Sequence, residues 1–385
     1  MVAFIITPGR NNMVMIKPLI KRSHHVILSD DGDICIGELP GNAKIIKKPP
    51  EWVKVVLSKL DGLHTIPRIL KSVSLKGYDI NDSDIIWLIN KLKNHGLIDD
   101  NACYSDMLTS EEIELYDRQL LQFSVVDKNN YNAIKYQEKL KKSRVLILGM
   151  GGWGTWCSLQ LAVSGVGILR IVDGDDVELS NLNRQILYTP DDIGRKKTDA
   201  ASDSLKQHNK YVIVEKYPVF ATTDENQLSE LLDGVSLVLL AWASLGYYRK
   251  NTVEESIHRL AHINNIPVVE LGGDPFDISV GPVYLNNGNG VNYSEVKKQA
   301  GRHFYGNNAD IKKFRKARMK QQFLNGNRVV NAWQSAPSLA AMSGLITDQV
   351  VKILTGYDAP ALEGKKWHLN LRDFSVREEN IYNEI

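Results

Sequence analysis

Three cysteines, Cys35, Cys103 and Cys157, are all that this chain of 385 residues contains, and no two are spaced as C-x-x-C. That excludes a disulfide framework and the thiol pairs of a zinc ribbon, and a sparse, odd count suits a reducing cytoplasm. An excess of one charge is missing too: 47 Lys and Arg stand against 45 Asp and Glu, a formal +2. No global field therefore advertises a nucleic-acid or membrane partner. Long apolar runs are absent. The longest, Val235 to Ala243 around one serine, has the length of a buried strand and falls short of the roughly 20 residues a membrane span needs. The start, M-V-A-F-I-I-T-P-G-R, carries no basic leader and too short an apolar run for a signal peptide. A cytoplasmic location is expected. No internal repeat or low-complexity tract occurs, and 43% apolar with 24% charged residues describes an ordinary globular chain of two or three domains.

What is present is concentrated between residues 144 and 185. Arg144 to Leu148 reads as a buried strand running into glycines at 149, 151, 152 and 154, and Leu169 to Val172 as a second strand ending on Asp173. Gly149, Gly151, Gly152 and Gly154 would let backbone amides approach phosphate oxygens, with the positive end of the next helix behind them. An acid about 20 residues beyond such a loop is placed to meet a ribose. A glycine fingerprint alone also marks an ordinary tight turn. The tail S-N-L-N-R-Q, with Arg184 shortly after the acid, is more than packing requires.

Downstream the pattern alternates: strand 144–148, helix 154–163, strand 168–172, helix 194–208, strand 211–216, helix 225–232, strand 235–242, helix 249–263, strand 266–271, and later a long apolar helix, 337–354, closed by Gly356. Alternation of this kind predicts an α/β fold with a doubly wound, mostly parallel Rossmann-like sheet over residues 144–385. Residues 103–143 read as a polar helical linker. Residues 1–102 read as a small winged-helix-like α+β domain: short strands (Met13–Ile20, His24–Leu28, Ile34–Ile36), a turn at Asp30–Asp33, then helices from Glu51, Thr65 and Asp82. Ile85, Ile86, Leu88, Ile89 and Leu92 would form the core face of the third. That helix mixes Asp82 and Asp84 with Lys91 and Lys93, a poor recognition helix for DNA. Capture of an extended peptide on an edge strand, with a helix as one wall, suits the unit better; a purely structural or dimerisation role is the alternative.

Laid together, several segments resemble the ubiquitin-activating-enzyme/ThiF superfamily, whose members adenylate a carboxylate. They are L-Y-D-R-Q (115–119), G-M-G-G-W-G (149–154), D-G-D-D-V-E-L-S-N-L-N-R-Q (173–185), G-R-K-K (194–197), G-P-V-Y (281–284) and the helix 335–356. With the small domain in front, the chain is most similar to the peptide-maturation branch, which processes microcin- and pantocin-type precursors. The resemblance implies ATP and Mg²⁺, a homodimer, and a leader peptide gripped by the N-terminal domain. It implies phosphate contacts for Arg184 and Lys197, an Asn181 and a Gln185 that contact or position the phosphates, ribose contacts for Asp173, and an Arg118 that reaches the triphosphate from the other protomer. Each has a plainer alternative: Arg184 pairing with Asp175 or Asp176, Lys197 solvated like its neighbour Lys196, Arg118 in a charged helix.

The chain departs from the family twice. Ala243, beside Trp242 and Ser244, stands where relatives carry an Asp that helps hold Mg²⁺, leaving Asp175, Asp176 or Asp274 as substitutes. The C-x-x-C pairs of many relatives are missing, so no zinc is expected. Cys157 falls within a helix, where core packing is the expectation and a thioester role is disfavoured. Residues 297–328 hold ten Lys and Arg against Asp310 alone. Lys312 to Lys320 would form a basic helix with Ile311 and Phe314 on its other face, simply solvated or suited to an acidic peptide, with nucleic acid the remaining alternative.

The expectation is an ATP-dependent enzyme that activates a carboxylate on a ribosomally made peptide for internal cyclisation or amide formation. Activation of a ubiquitin-like sulfur-carrier protein, a catalytically silent peptide-binding scaffold and a nicotinamide oxidoreductase are its rivals.

Overall fold

The computed structural model describes residues 17–37, 41, 43–100, 105–127, 132–242, 251–273, 277–288, 292–297, 309–320 and 334–380. The chain divides into two compact units, Met1–Glu138 and Lys139–Ile385.

In the first unit, strands β1 (Pro18–Ile20), β2 (Val26–Leu28), β3 (Ile34–Ile36) and β4 (Lys44–Ile46) precede helices α1 (Glu51–Lys59), α2 (Ile66–Leu75) and α3 (Asp82–Asn94). Then come β5 (Ile98–Asp100) and helices α4 (Ser110–Leu115), α5 (Asp117–Val126) and α6 (Ala133–Lys142), the last of which carries the chain into the second unit. Strands β2, β3 and β4 form an antiparallel sheet, and β1 pairs with β5. The expected turn closes β2 onto β3, with Gly32 at φ 88°, a backbone angle that glycine adopts without strain. Val53, Val56, Ile69, Val73, Ile85, Leu88, Ile89 and Leu92 meet in one core, as helical spacing predicts. Ile86, expected on that face, is instead 38% exposed; a stripe of five over eight residues is wider than the buried arc. Strands β4 and β5 were not expected from the sequence, since K-I-I and I-D-D carry no apolar–polar alternation. Edge strand β2 leaves Val26, Ile27 and Leu28 all exposed.

The second unit contains β6 (Arg144–Leu148), α7 (Gly152–Val163), β7 (Ile168–Val172), α8 (Lys197–His208), β8 (Ile213–Tyr217), α9 (Glu225–Leu232), β9 (Leu237–Leu240), α10 (Val253–Ile263), β10 (Val268–Gly273) and β11 (Asp277–Tyr284). It closes with α11 (Ala309–Met319), α12 (Ala336–Thr355), β12 (Lys365–Asn370) and β13 (Val376–Asn380). Eight strands run in the order β13-β12-β11-β10-β9-β6-β7-β8. From β8 to β10 every pairing is parallel, while β11, β12 and β13 are added antiparallel. The doubly wound, mostly parallel sheet is thus present, with an antiparallel extension that the alternation did not announce. Strand residues alternate between faces: Leu146 and Leu148 pack with Leu228, Leu231, Ile257 and Leu260 of α9 and α10, leaving Val145 and Ile147 to the opposite face. The chain runs β6–β7–β8 in one direction and β9–β10 in the other, so order reverses between β6 and β9. Open α/β sheets bind ligands outside the carboxyl ends of strands at such a reversal.

Helix α8 starts at Lys197 rather than residue 194, because Gly194 adopts φ 87°. Helix α12 ends on Gly356 in the left-handed region, as its sequence predicts. Among the described residues no helix is long and apolar enough to cross a membrane.

Candidate active site

Gly149, Asp173 and Ala241 follow the last residues of β6, β7 and β9, and the amides of Gly149 and Ala241 extend the ladder by bonding Val172 and Leu148 carbonyls. Gly149 has φ 98°. A Cβ on Gly154 would lie 1.8 Å from the Gly149 carbonyl oxygen, so the first turn of α7 touches the strand end and only glycine fits. Gly151 precedes α7 and Gly152 is its first residue, which places free helix amides beside the loop.

Asp173 ties this loop together. Its Oδ2 accepts the Met150 amide at 2.7 Å and its Oδ1 the Asp175 amide at 2.9 Å. Each oxygen keeps a further lone pair for another donor. The Met150 carbonyl is bonded in turn by Tyr188 Oη at 2.8 Å. Burial, with the charges of Asp173, Asp192 and Asp175, pushes the Tyr188 phenol well above its ordinary value, so it stays a neutral donor.

The segment after Asp173 is a short 3₁₀ turn, residues 179–181, and Asn181 Oδ1 closes it by accepting the Glu178 amide at 3.0 Å. The Asn181 carbonyl accepts the amides of Arg184 and Gln185. Trp156 of α7 donates its indole N–H to the Arg184 carbonyl at 3.0 Å. Arg184 Nη1 donates to the Ser180 carbonyl at 2.6 Å and to Asn183 Oδ1 at 3.3 Å, while its Nε is buried with no partner. Gln185 is 3% exposed and its Oε1 is likewise buried without a partner. Arg184 therefore does not pair with Asp175 or Asp176; its Nε edge, the flat side of the fork that suits phosphate, is free.

The two lysines separate by burial. Lys197 Nζ donates to Asp175 Oδ2 at 2.8 Å with its side chain 8% exposed, whereas Lys196, 43% exposed, pairs with Asp176 at 2.7 Å. Arg118 lies on α5 in the first unit, 87% exposed and 3.2 Å from Asp117. Ala243, Ser244, Asp274 and Cys103 lie outside the described residues. Of the basic segment 297–328, Lys297 and residues 309–320 are described. Residues 309–319 form the expected helix; Phe314 there is 68% exposed and Lys313 lies 5.8 Å from its ring. Cys157 is fully buried, and burial pushes its thiol up to about 12. Among the described residues no three His, Cys, Asp or Glu side chains gather as a metal cluster.

Three site residues escaped the sequence: Tyr188, Trp156 and Phe220, whose ring lies over Gly174 between Asp173 and Asp175. A buried aromatic four residues past Arg184 carried no motif that could have marked it.

Residues 116–384 match the ThiF family. The chain belongs to the ThiF family. Residues 23–82 match a second family, the PaaA-like N-terminal domain. The crystal structure of PaaA is 47% identical, with 94% of this chain covering 99% of that one at a TM-score of 0.76. A structure of E. coli MccB with ATP is 19% identical, over 94% of this chain and 96% of that one, at a TM-score of 0.66; at that identity the likeness is one of fold. Another structure presents MccB as a microcin C7 biosynthetic enzyme in complex with N-formylated MccA. Among ThiF-type relatives, the sulfur carrier protein adenylyltransferase of Thermus thermophilus is 40% identical over 131 residues, 34% of this chain and 45% of the relative. The chain thus spans less than half the length of that relative.

Proposed function

We propose that this ThiF-family protein uses ATP to activate a carboxylate of a ribosomally synthesised precursor peptide, by adenylation, and that an internal nucleophile then closes a ring or amide on the activated carbonyl. The observation that carries the proposal is the free, buried Nε edge of Arg184 beside the glycine loop at the sheet's reversal. An arginine edge and a helix N-terminus gathered there make a triphosphate site. Two orphaned polar atoms, Arg184 Nε and Gln185 Oε1, fit a ligand that supplies both acceptors and a donor, such as a hydrated nucleotide.

In this scheme a peptide carboxylate oxygen attacks the α-phosphorus, the bond to the β-phosphate bridge breaks, and pyrophosphate departs with the electron pair. Negative charge grows on the phosphate oxygens, where fixed donors act most strongly. Arg184 would hold them through Nε and Nη2, Lys197 would contribute a point charge once drawn from Asp175, and Asp173 would orient the ribose. Asn181 would hold the Arg184 turn, and Gln185 would reach the phosphates. Arg118 would enter from the second copy of a homodimer. Mg²⁺ is commonly held by one or two carboxylates plus substrate phosphates; Asp175 and Asp176, both more than half exposed, are the carboxylates at hand. The precursor would be captured by the N-terminal unit, where β2 is an edge strand among the described residues and carries three exposed apolar side chains, a setting suited to strand addition. The small domain in front, with residues 23–82 matching the PaaA-like N-terminal domain, supports this reading over a sulfur-carrier substrate; the sulfur-carrier and molybdopterin-synthase adenylyltransferases match over 103–132 residues, 27–34% of this chain.

The test is isotope exchange between pyrophosphate and ATP, with release of AMP, ADP and phosphate measured in parallel, in the presence of candidate precursor peptides. Peptide-dependent exchange with AMP release is expected. Release of ADP and phosphate would replace adenylation with phosphorylation of the carboxylate, and no nucleotide turnover with any peptide that binds would leave a scaffold.

A further inference from the structure

Among the described residues, Phe220 is the largest apolar side chain near the proposed site that packing does not account for: it is 64% exposed. It is also held firmly. Gln227 of α9 donates from Nε2 to the Phe220 carbonyl at 3.2 Å, and its Oε1 accepts both the amide and the hydroxyl of Thr222 at 2.8 Å. One edge of the ring lies on Gly174, where a Cβ would come within 2.6–2.8 Å of ring carbons. Glycine between Asp173 and Asp175 is thus what lets the ring sit there. The remainder of the ring faces solvent.

The sheet order gives this ring a direction. The glycine loop follows β6, Asp173 follows β7 and Phe220 follows β8, and these three strands are neighbours in that order. Adjacent strands are about 4.8 Å apart, so a nucleotide with phosphates over β6 and ribose at Asp173 runs its base toward the end of β8. An exposed, anchored phenyl ring at that end is what a nucleobase stacks on, since every base offers a π-face.

We propose that Phe220 is the platform on which the base of the bound nucleotide stacks, and that it selects a purine by stacking area. The proposal rests on the ATP reading above. The ring recognises no base edge; discrimination comes from the size of the stacked surface, so ATP and GTP bind alike and pyrimidine nucleotides bind more weakly. A role confined to covering Gly174 would not distinguish ligands with and without a base.

The experiment is equilibrium binding, by calorimetry in Mg²⁺ buffer, of ATP, GTP, CTP and inorganic tripolyphosphate to the full chain, to Phe220→Ala and to Phe220→Trp. The base–aromatic contact predicts that Phe220→Ala weakens ATP about tenfold, leaves tripolyphosphate unchanged and narrows the gap between ATP and CTP. Phe220→Trp keeps or improves ATP affinity. Equal ATP affinity in the wild type and Phe220→Ala would overturn the platform, and so would an equal loss for ATP and tripolyphosphate, which is the mark of a collapsed loop. A wild-type chain that binds neither ATP nor GTP would sink the nucleotide reading itself, and this inference with it; melting curves of the two variants confirm that each is folded.

Discussion

Tyr188 donates a 2.8 Å hydrogen bond to the carbonyl of Met150, and both residues are buried. With Asp173 accepting the Met150 amide, the peptide around Met150 is clamped from both ends, and the glycine loop takes its shape from two side chains distant in sequence. Tyr188→Phe leaves that carbonyl buried without its donor, a cost of about 1–3 kcal/mol. Urea unfolding should show this loss, and nucleotide binding should weaken with it. An unchanged midpoint would mean that another donor replaces the phenol.

In the proposed mechanism Arg184→Ala removes a charged donor to phosphate, and such losses cost roughly 100-fold or more in turnover. Peptide binding, assigned to the other unit, should be unaffected in a direct titration. Arg184→Lys should not rescue, because a lysine has no side-on fork. Retained turnover in either variant would disprove the phosphate role.

Gly154→Ala and Gly151→Ala form a matched pair. The first puts a methyl 1.8 Å from the Gly149 carbonyl, and the second puts one no closer than 4.0 Å to Gln185 Nε2. Overpacking of the first kind costs about 1–3 kcal/mol or more. A large fall in melting temperature is expected for Gly154→Ala and little change for Gly151→Ala.

Behind β10, Glu270 and His258 share a hydrogen bond of 2.7 Å, with His258 stacked on Tyr293 at 3.8 Å between centroids. Burial pushes the Glu270 carboxyl up from 4.5 to about 8 and the His258 imidazole down from 6.5 to about 3, so a neutral acid faces a neutral ring. The stability linked to Glu270 is complete below pH 4.5 and is lost as pH rises toward 8. That linked to His258 is complete above 6.5 and is lost as pH falls toward 3. Between 4.5 and 6.5 the two slopes cancel, giving a plateau with a falling limb on either side. Unfolding midpoints from acid to alkaline pH should trace this shape, and Glu270→Gln should abolish the alkaline limb.

Cys157 is buried with a raised thiol pKa, and the thiolate is the nucleophile. Iodoacetamide should leave it unmodified in the folded protein. Cys157→Ala should keep full turnover; loss of turnover in a variant that still binds ATP would revive a thioester route.

Much of this was legible because it is local. The turn at Asp30–Asp33, the glycines of the β6 loop and the stop at Gly356 are written in residues that tolerate unusual backbone angles, and alternating apolar runs announce a parallel sheet through buried strands. Arg184 stood out because a cation in the polar loop that follows a strand-end acid is more than packing requires. The tertiary structure alone decided that Lys197 rather than Lys196 is buried, that Arg184 keeps its Nε edge free, and that β11, β12 and β13 add to the sheet antiparallel. It also brought Tyr188 to Met150 and Phe220 to Gly174, pairs separated by 38 and 46 residues. Composition and periodicity describe a residue's immediate neighbours along the chain. Burial and hydrogen-bond partnership depend on which distant segments the completed sheet sets side by side.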